Sequence, residues 1–106
     1  MKFEWDERKN SLNVKNHGID FADAWEVFEN PLFVWLDDRE DYGEDRWIGL
    51  GMMQNLVVVL IVFVEKGADV IRIISLRKAK SHESKNYEKT IRDGLGSSHG
   101  YEGRRN

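Results

Sequence analysis

The stretch LVVVLIVFV at residues 56–64 is nine consecutive apolar residues, six of them β-branched. A run with no polar side suits a strand covered on both faces, in the middle of a sheet. At nine residues it falls well short of the roughly 20 needed to cross a bilayer as a helix. The rest of the chain must therefore supply neighbouring strands and helices to cover them. Its 106 residues, 41% of them apolar, suit one compact domain, expected over 1–93.

The flanking segments supply these elements. KFEW (2–5) is a short strand. Asp6 is a helix N-cap, and His17–Gly18 is a helix stop with Gly at the left-handed position. Asp20 caps a second helix, in which Phe21, Ala24, Trp25 and Phe28 form an apolar stripe at i, i+3, i+4 and i+7. Asn30–Pro31 ends that helix. LFVWL (32–36), RWIGLGMM (46–53) and VIRIISLR (70–77) read as further strands, with Gln54–Asn55 and Gly67 in the turns. A final helix over about 80–93, capped by Ser81, stops at Gly94 and Gly96. The expected fold is α+β, in the order β-α-α-β-β-β-β-α. Its sheet is mostly antiparallel, with two helices packed on one face and a C-terminal helix. Residues 94–106 have the composition of a flexible tail.

No cysteine is present, which removes disulfides and thiolate zinc sites and suits a reducing cytoplasm. Residues 1–10, MKFEWDERKN, carry charge where a secretory leader needs an apolar segment. HESKN (82–86) lacks the second histidine of a zincin, and no glycine-rich phosphate loop occurs. No metal or cofactor is implied.

Charge is distributed unevenly. Net charge is −3, yet residues 1–45 carry a balance of −8 and residues 70–106 a balance of +5. Either the basic half serves an anionic partner or the two halves attract each other. Arg46, Arg72, Arg77, Lys78 and Lys80 lie at or near strand positions. Arg72 either faces solvent, paired with Glu65 or Asp69, or joins Arg46 in binding an RNA backbone through bidentate contacts to phosphate. In a regular strand Arg72 and Lys78 share a face and Arg77 takes the other. Arg72 and Arg77 come together only if the strand ends or bulges before Arg77. His17 reads as a C-terminal capping cation or an acid/base group. Trp5, Trp25 and Trp35 read as core, and Trp47 more as core than as a stacking platform. The last helix, with only Tyr87 and Ile91 as its stripe, is either partly solvated or a docking element.

KFEWDERKNSLNVKNHGIDFADAWEVFENP, GEDRWIGLG, LVVVLIVF and IRIISLRKAKSHESKNYE together resemble the BrnT-type toxins of bacterial type II toxin–antitoxin systems, over roughly residues 2–90. The most specific parts are Trp5, Asp6, Lys9, Asn16–Gly18 and Phe21 at the start and RIIS-x-RKA with Tyr87–Glu88 at the end. MMQN, Leu76 and the chain after Lys89 depart from the pattern. The resemblance implies a RelE-like fold and an endoribonuclease that cleaves RNA to inhibit translation. It also implies neutralisation by a cognate antitoxin with a ribbon-helix-helix part, which alone would contact operator DNA. No membrane is involved. The matching basic positions, Arg46, Arg72, Arg77 and Lys78, are the expected catalytic set, with Lys80, His17 and Glu88 as RNA-binding or acid/base candidates. A metal-free mechanism would have the ribose 2′-OH attack phosphorus while arginines stabilise the phosphoryl oxygens. Two alternatives are a non-catalytic RNA- or protein-binding module on the same basic face, and a partner that only completes a complex, its acidic half meeting a basic antitoxin segment.

Overall fold

The computed structural model describes residues 1–94. The elements are β1 (Lys2–Trp5), α1 (Glu7–His17), a 3-10 helix (Phe21–Glu29), β2 (Leu32–Leu36), β3 (Trp47–Met52), β4 (Val58–Lys66), β5 (Val70–Lys78) and α2 (Ser81–Arg92). This is the expected α+β order. The expected tail, Gly94 apart, lies outside the described residues. None of the helices among the described residues is long and apolar enough to cross a membrane.

The sheet runs β1-β5-β4-β3-β2, antiparallel except for the β1–β5 pair. The apolar run of β4 is central, as its lack of a polar side demands. Its Val59, Ile61 and Phe63 pack under the 3-10 helix with Ile71, Ile73 and Leu76 of β5. Val58 lies on the opposite face with Leu50 and Tyr87, where α2 packs. Helices thus cover both faces.

Local signals act as the sequence predicts. The Asp6 carboxylate accepts from the Arg8 and Lys9 N–H groups, and Gly18 (φ 71°) closes α1. Asp20 caps the next segment through the Ala22 N–H, at 2.9 Å. That segment is a 3-10 helix rather than the expected α-helix. At three residues per turn, Phe21, Ala24 and Val27 align over the sheet and are buried. Trp25 falls off that line and is 42% exposed, so it is not core. The close seat over β3 requires glycine, since a Cβ on Gly51 would lie 2.5 Å from Val27 Cγ1. Trp35, also expected in the core, is 43% exposed on β2. Trp5 and Trp47 do pack against the core. Leu56, expected to open the central strand, instead takes a left-handed conformation (φ 68°) after the Gln54–Asn55 turn.

The decisive irregularity is in β5. Val62 faces Ser75 but Phe63 faces Ile73, so Ile74 is an additional residue and forms a bulge. The bulge reverses the parity of residues 75–78. Arg72, Ser75 and Arg77 share the α2 face, whereas Lys78 turns to the other face with Leu76. The regular-strand pairing of Arg72 with Lys78 is thereby corrected.

β1 accompanies β5 only as far as Ile73. Beyond it, the side chain of Asn13 takes the place of a strand. Asn13 donates to Leu76 O (2.7 Å) and to Ile19 O (2.9 Å) and accepts from Leu76 N–H (3.2 Å). Leu12 and Val14, the large apolar residues of α1, are exposed, so this amide is the buried anchor of α1. At the other end of the turn after β5, Arg77 forks onto Glu83 of α2 at 2.9 and 3.0 Å. Glu83 also accepts from the Lys80 N–H at 2.7 Å, so Lys80 and not Ser81 is the N-cap. Tyr87 anchors the middle of α2, packing on Phe33 and donating to Pro31 O at 2.8 Å.

Both anchors can be tested by unfolding. Asn13→Ala leaves the Leu76 amide and carbonyl buried without partners, and urea unfolding should show a loss of about 2–4 kcal/mol. Leu12→Ala, on the exposed side of the same helix, should change stability by less than about 0.5 kcal/mol. The Arg77 fork, against opposing burial and with help from the Lys80 N–H, holds the Glu83 pKa at about 2 instead of 4.5. A carboxyl with a depressed folded-state pKa stabilises the fold fully above pH 4.5 and ceases to do so as pH falls toward 2. Glu83→Gln should therefore flatten the decline of the urea midpoint between those pH values. Asp37, also held at about 2, leaves a residual slope.

Candidate nucleic-acid interface

The α2 face of the sheet collects three of the expected arginines. Arg72 lies opposite Val64, and Arg46 comes immediately before Trp47, which is opposite Phe63. Arg46 and Arg72 therefore flank Val64 in one row across the sheet. The Arg46 guanidinium is held over the Tyr42 ring, 4.1 Å from its centroid. Arg72 donates to Glu4 Oε2 at 2.9 Å, its neighbour on β1, while Asp69 meets the Met1 ammonium at 3.2 Å. The two side chains are 37% and 46% exposed, and an exposed pair of this kind is worth roughly 0–1 kcal/mol. A phosphate can therefore compete for Arg72 at small cost. Arg77 is held more firmly, by the fork to Glu83.

Register separates these cations. Arg72 faces Val64 and Arg77 faces Leu60, four residues along β4, which is about 13 Å. Held by different carboxylates, Glu4 and Glu83, they mark two points along a backbone. Ser75, Val62 and Ile48 lie between those rows, with exposed Trp35 at the far edge.

A second grouping forms on the other face. His17, Gly18 and Ile19 from the end of α1, Asp23 from the 3-10 helix, Met53, Asn55 and Val57 from the β3–β4 hairpin, and Lys78 from β5 line a cleft of about 280 Å³. The left-handed Gly18 turns the chain back so that His17 borders this opening. His17 and Lys78 are thus brought together, although nothing in their local sequences links them. Nor does the sequence single out Asp23 and Asn55, because three remote segments have to meet before they share a cleft.

The remaining candidates stand apart. Lys80 is exposed at the start of α2, beside the Arg77–Glu83 pair. Glu88 borders an apolar groove of about 310 Å³ with Pro31, Met52, Tyr87, Ile91 and Arg92, a grouping that includes none of Arg46, Arg72 and Arg77. Residues 37–45 carry six carboxylates against Arg39. Within them Asp37 is buried and forked by Arg39 at 2.7 and 2.7 Å, which pulls its pKa to about 2.

Comparison with known proteins adds an independent line. No match was found among curated proteins. Among solved structures, the crystal structure of the Brucella abortus ribonuclease toxin BrnT is similar, with 30% sequence identity and a TM-score of 0.60. The match covers 76% of this chain and 99% of that one. A family model described as the ribonuclease toxin BrnT of type II toxin–antitoxin systems matches residues 5–83. The chain therefore belongs to the BrnT family of ribonuclease toxins of type II toxin–antitoxin systems.

Proposed function

We propose that this protein is an endoribonuclease that cleaves RNA without a metal, inhibits translation and is neutralised by a cognate antitoxin. The observation that carries this reading is the Ile74 bulge, which sets Arg72 and Arg77 with Arg46 on one face and sends Lys78 to the cleft of His17. Arginines spaced along a sheet face suit successive phosphates, because the guanidinium presents a fixed fork of donors and stays charged. The cleft lies on the opposite face and is approached round the end of β5, where Arg77 and Lys78 are adjacent but face opposite ways; it supplies the groups that proton transfer requires. His17 takes the proton of the ribose 2′-OH, whose oxygen then bonds to the adjacent phosphorus. Lys78 stabilises the charge on the phosphoryl oxygens, and the P–O5′ bond breaks. The products are a 2′,3′-cyclic phosphate and a 5′-OH, the latter receiving its proton from the protonated base or water.

Lys80 extends the basic margin next to Arg77. Glu88 lies too far round α2 to share in the chemistry. The antitoxin, with a ribbon-helix-helix part, is the component that reaches operator DNA. An RNA substrate and an antitoxin partner suit a cytoplasmic protein.

Incubation of the purified protein with RNA in excess EDTA should yield fragments ending in cyclic phosphate. His17→Ala and Lys78→Ala should each lower kcat about 100-fold, the usual scale for a lost acid–base or charge-stabilising group. Arg72→Ala should instead raise KM about tenfold, as loss of a binding contact does. Arg77→Lys, which retains charge for the Glu83 contact, should raise KM as well. Cleavage that EDTA abolishes rules out the metal-free route, and unchanged kinetics in the arginine variants rules out the binding face. RNA retained without fragments would mark a non-catalytic binding module.

A further inference from the structure

The two edges of the sheet differ. The β1 edge is four residues long and carries exposed Lys2 and Glu4, charges of the kind that keep edges from pairing. The β2 edge carries Val34, Trp35 and Leu36, which are 39%, 43% and 46% exposed in succession. Asp37 N–H donates to Arg46 O at 2.8 Å, so the pair 37/46 is hydrogen-bonded to β3. By antiparallel alternation Trp35 and Phe33 also bond inward, while the N–H and C=O groups of Leu32, Val34 and Leu36 point outward. Among the described residues no strand pairs with this side.

From this edge we infer that β2 is the docking site for the antitoxin, which adds an extended segment to the sheet as a sixth strand. The inference rests on the reading that an antitoxin neutralises this protein. Strand addition draws affinity from main-chain hydrogen bonds and specificity from alternate side chains. The chemistry of the segment is set by the residues that flank β2. The strand runs directly into residues 37–45, where Asp37, Asp38, Glu40, Asp41, Glu44 and Asp45 outnumber Arg39. These residues border an open hollow of about 650 Å³. The segment therefore has apolar residues at alternate positions to meet Val34 and Leu36, and Lys or Arg where it passes the acidic loop. A second copy of the chain suits this edge poorly. β2 and both its flanks belong to residues 1–45, whose balance is −8, so pairing through β2 sets like charges together.

The test uses the full chain and its purified cognate antitoxin. Amide hydrogen exchange should show Val34 and Leu36 exchanging in the unbound protein and protected in the complex. Val34→Pro removes an outward N–H without breaking a bond to β3, so it should weaken antitoxin binding at least about tenfold and leave RNA cleavage unchanged. Should Val34→Pro impair folding, Leu36→Lys provides the same comparison through a side chain. Asp38→Lys with Asp41→Lys should weaken binding further and reduce its dependence on salt. Tight binding with these amides still exchanging, or unaffected by the variants, places the antitoxin elsewhere and overturns the inference alone. Protection of both amides in an isolated dimer assigns the edge to a second copy and overturns it. Failure of the wild-type chain to bind the antitoxin overturns the neutralisation reading with it.

Discussion

One additional residue in β5 determines how the charge of this molecule is used. Without the bulge at Ile74, the strand would alternate regularly, and Arg77 would point beneath the helices while Lys78 joined Arg72. With it, the two arginines share a face and the lysine borders the cleft of His17. A bulge costs pairing where it occurs, because the extra residue has no partner. Here Asn13 steadies the strand immediately beyond, bonding both the N–H and the C=O of Leu76 where β1 has ended. The same amide fastens α1, whose apolar residues do little to hold it to the sheet. Strand geometry and helix position are thus coupled through one side chain.

The charge asymmetry has two structural expressions. One arginine of the basic half is paired with the acidic half, through Arg72 and Glu4, but at an exposed site where the pair is weak and replaceable. The acidic residues of 37–45 lie instead in the loop between β2 and β3, where Arg39 forks Asp37 and Lys66 reaches Glu44 at 3.1 Å. The carboxylates of that loop outnumber the cations that meet them, so it stays acidic, while Arg72 and Arg77 lie along β5 on the α2 face. A chain of net charge −3 can in this way gather arginines on one sheet face.

The parts legible from sequence are those set by near neighbours. Asp6, Asp20, Gly18 and Gly67 act within a few residues of themselves, and the uniform run of β4 admits only a central strand. Features that depend on distant partners escape. The bulge is a property of the β4–β5 register, so strand parity alone makes it a condition for bringing Arg72 and Arg77 together but not a fact. Asn13 looks like an ordinary polar residue of a polar helix until Leu76, 63 positions away, is placed against it. Trp25 and Trp35 mislead because hydrophobicity does not guarantee burial, and a 3-10 turn and an edge strand leave both exposed. A 3.6-residue period hides Val27 for the same reason. The cleft of His17 and Lys78 has no linear signature at all.

β1 lies beside β5, although Glu4 and Arg72 are 68 positions apart. A chain emerging from the ribosome makes its first strand at once but has nothing to lay it against until the last strand appears. Until residues 71–78 are available, Asn13 has no Leu76 to clasp, Lys78 is missing from the cleft, and of the three arginines only Arg46 is present. Contacts so far apart in the chain form late and slowly. Translation order itself therefore delays the appearance of the arginine face, and the nascent chain passes most of its synthesis without it.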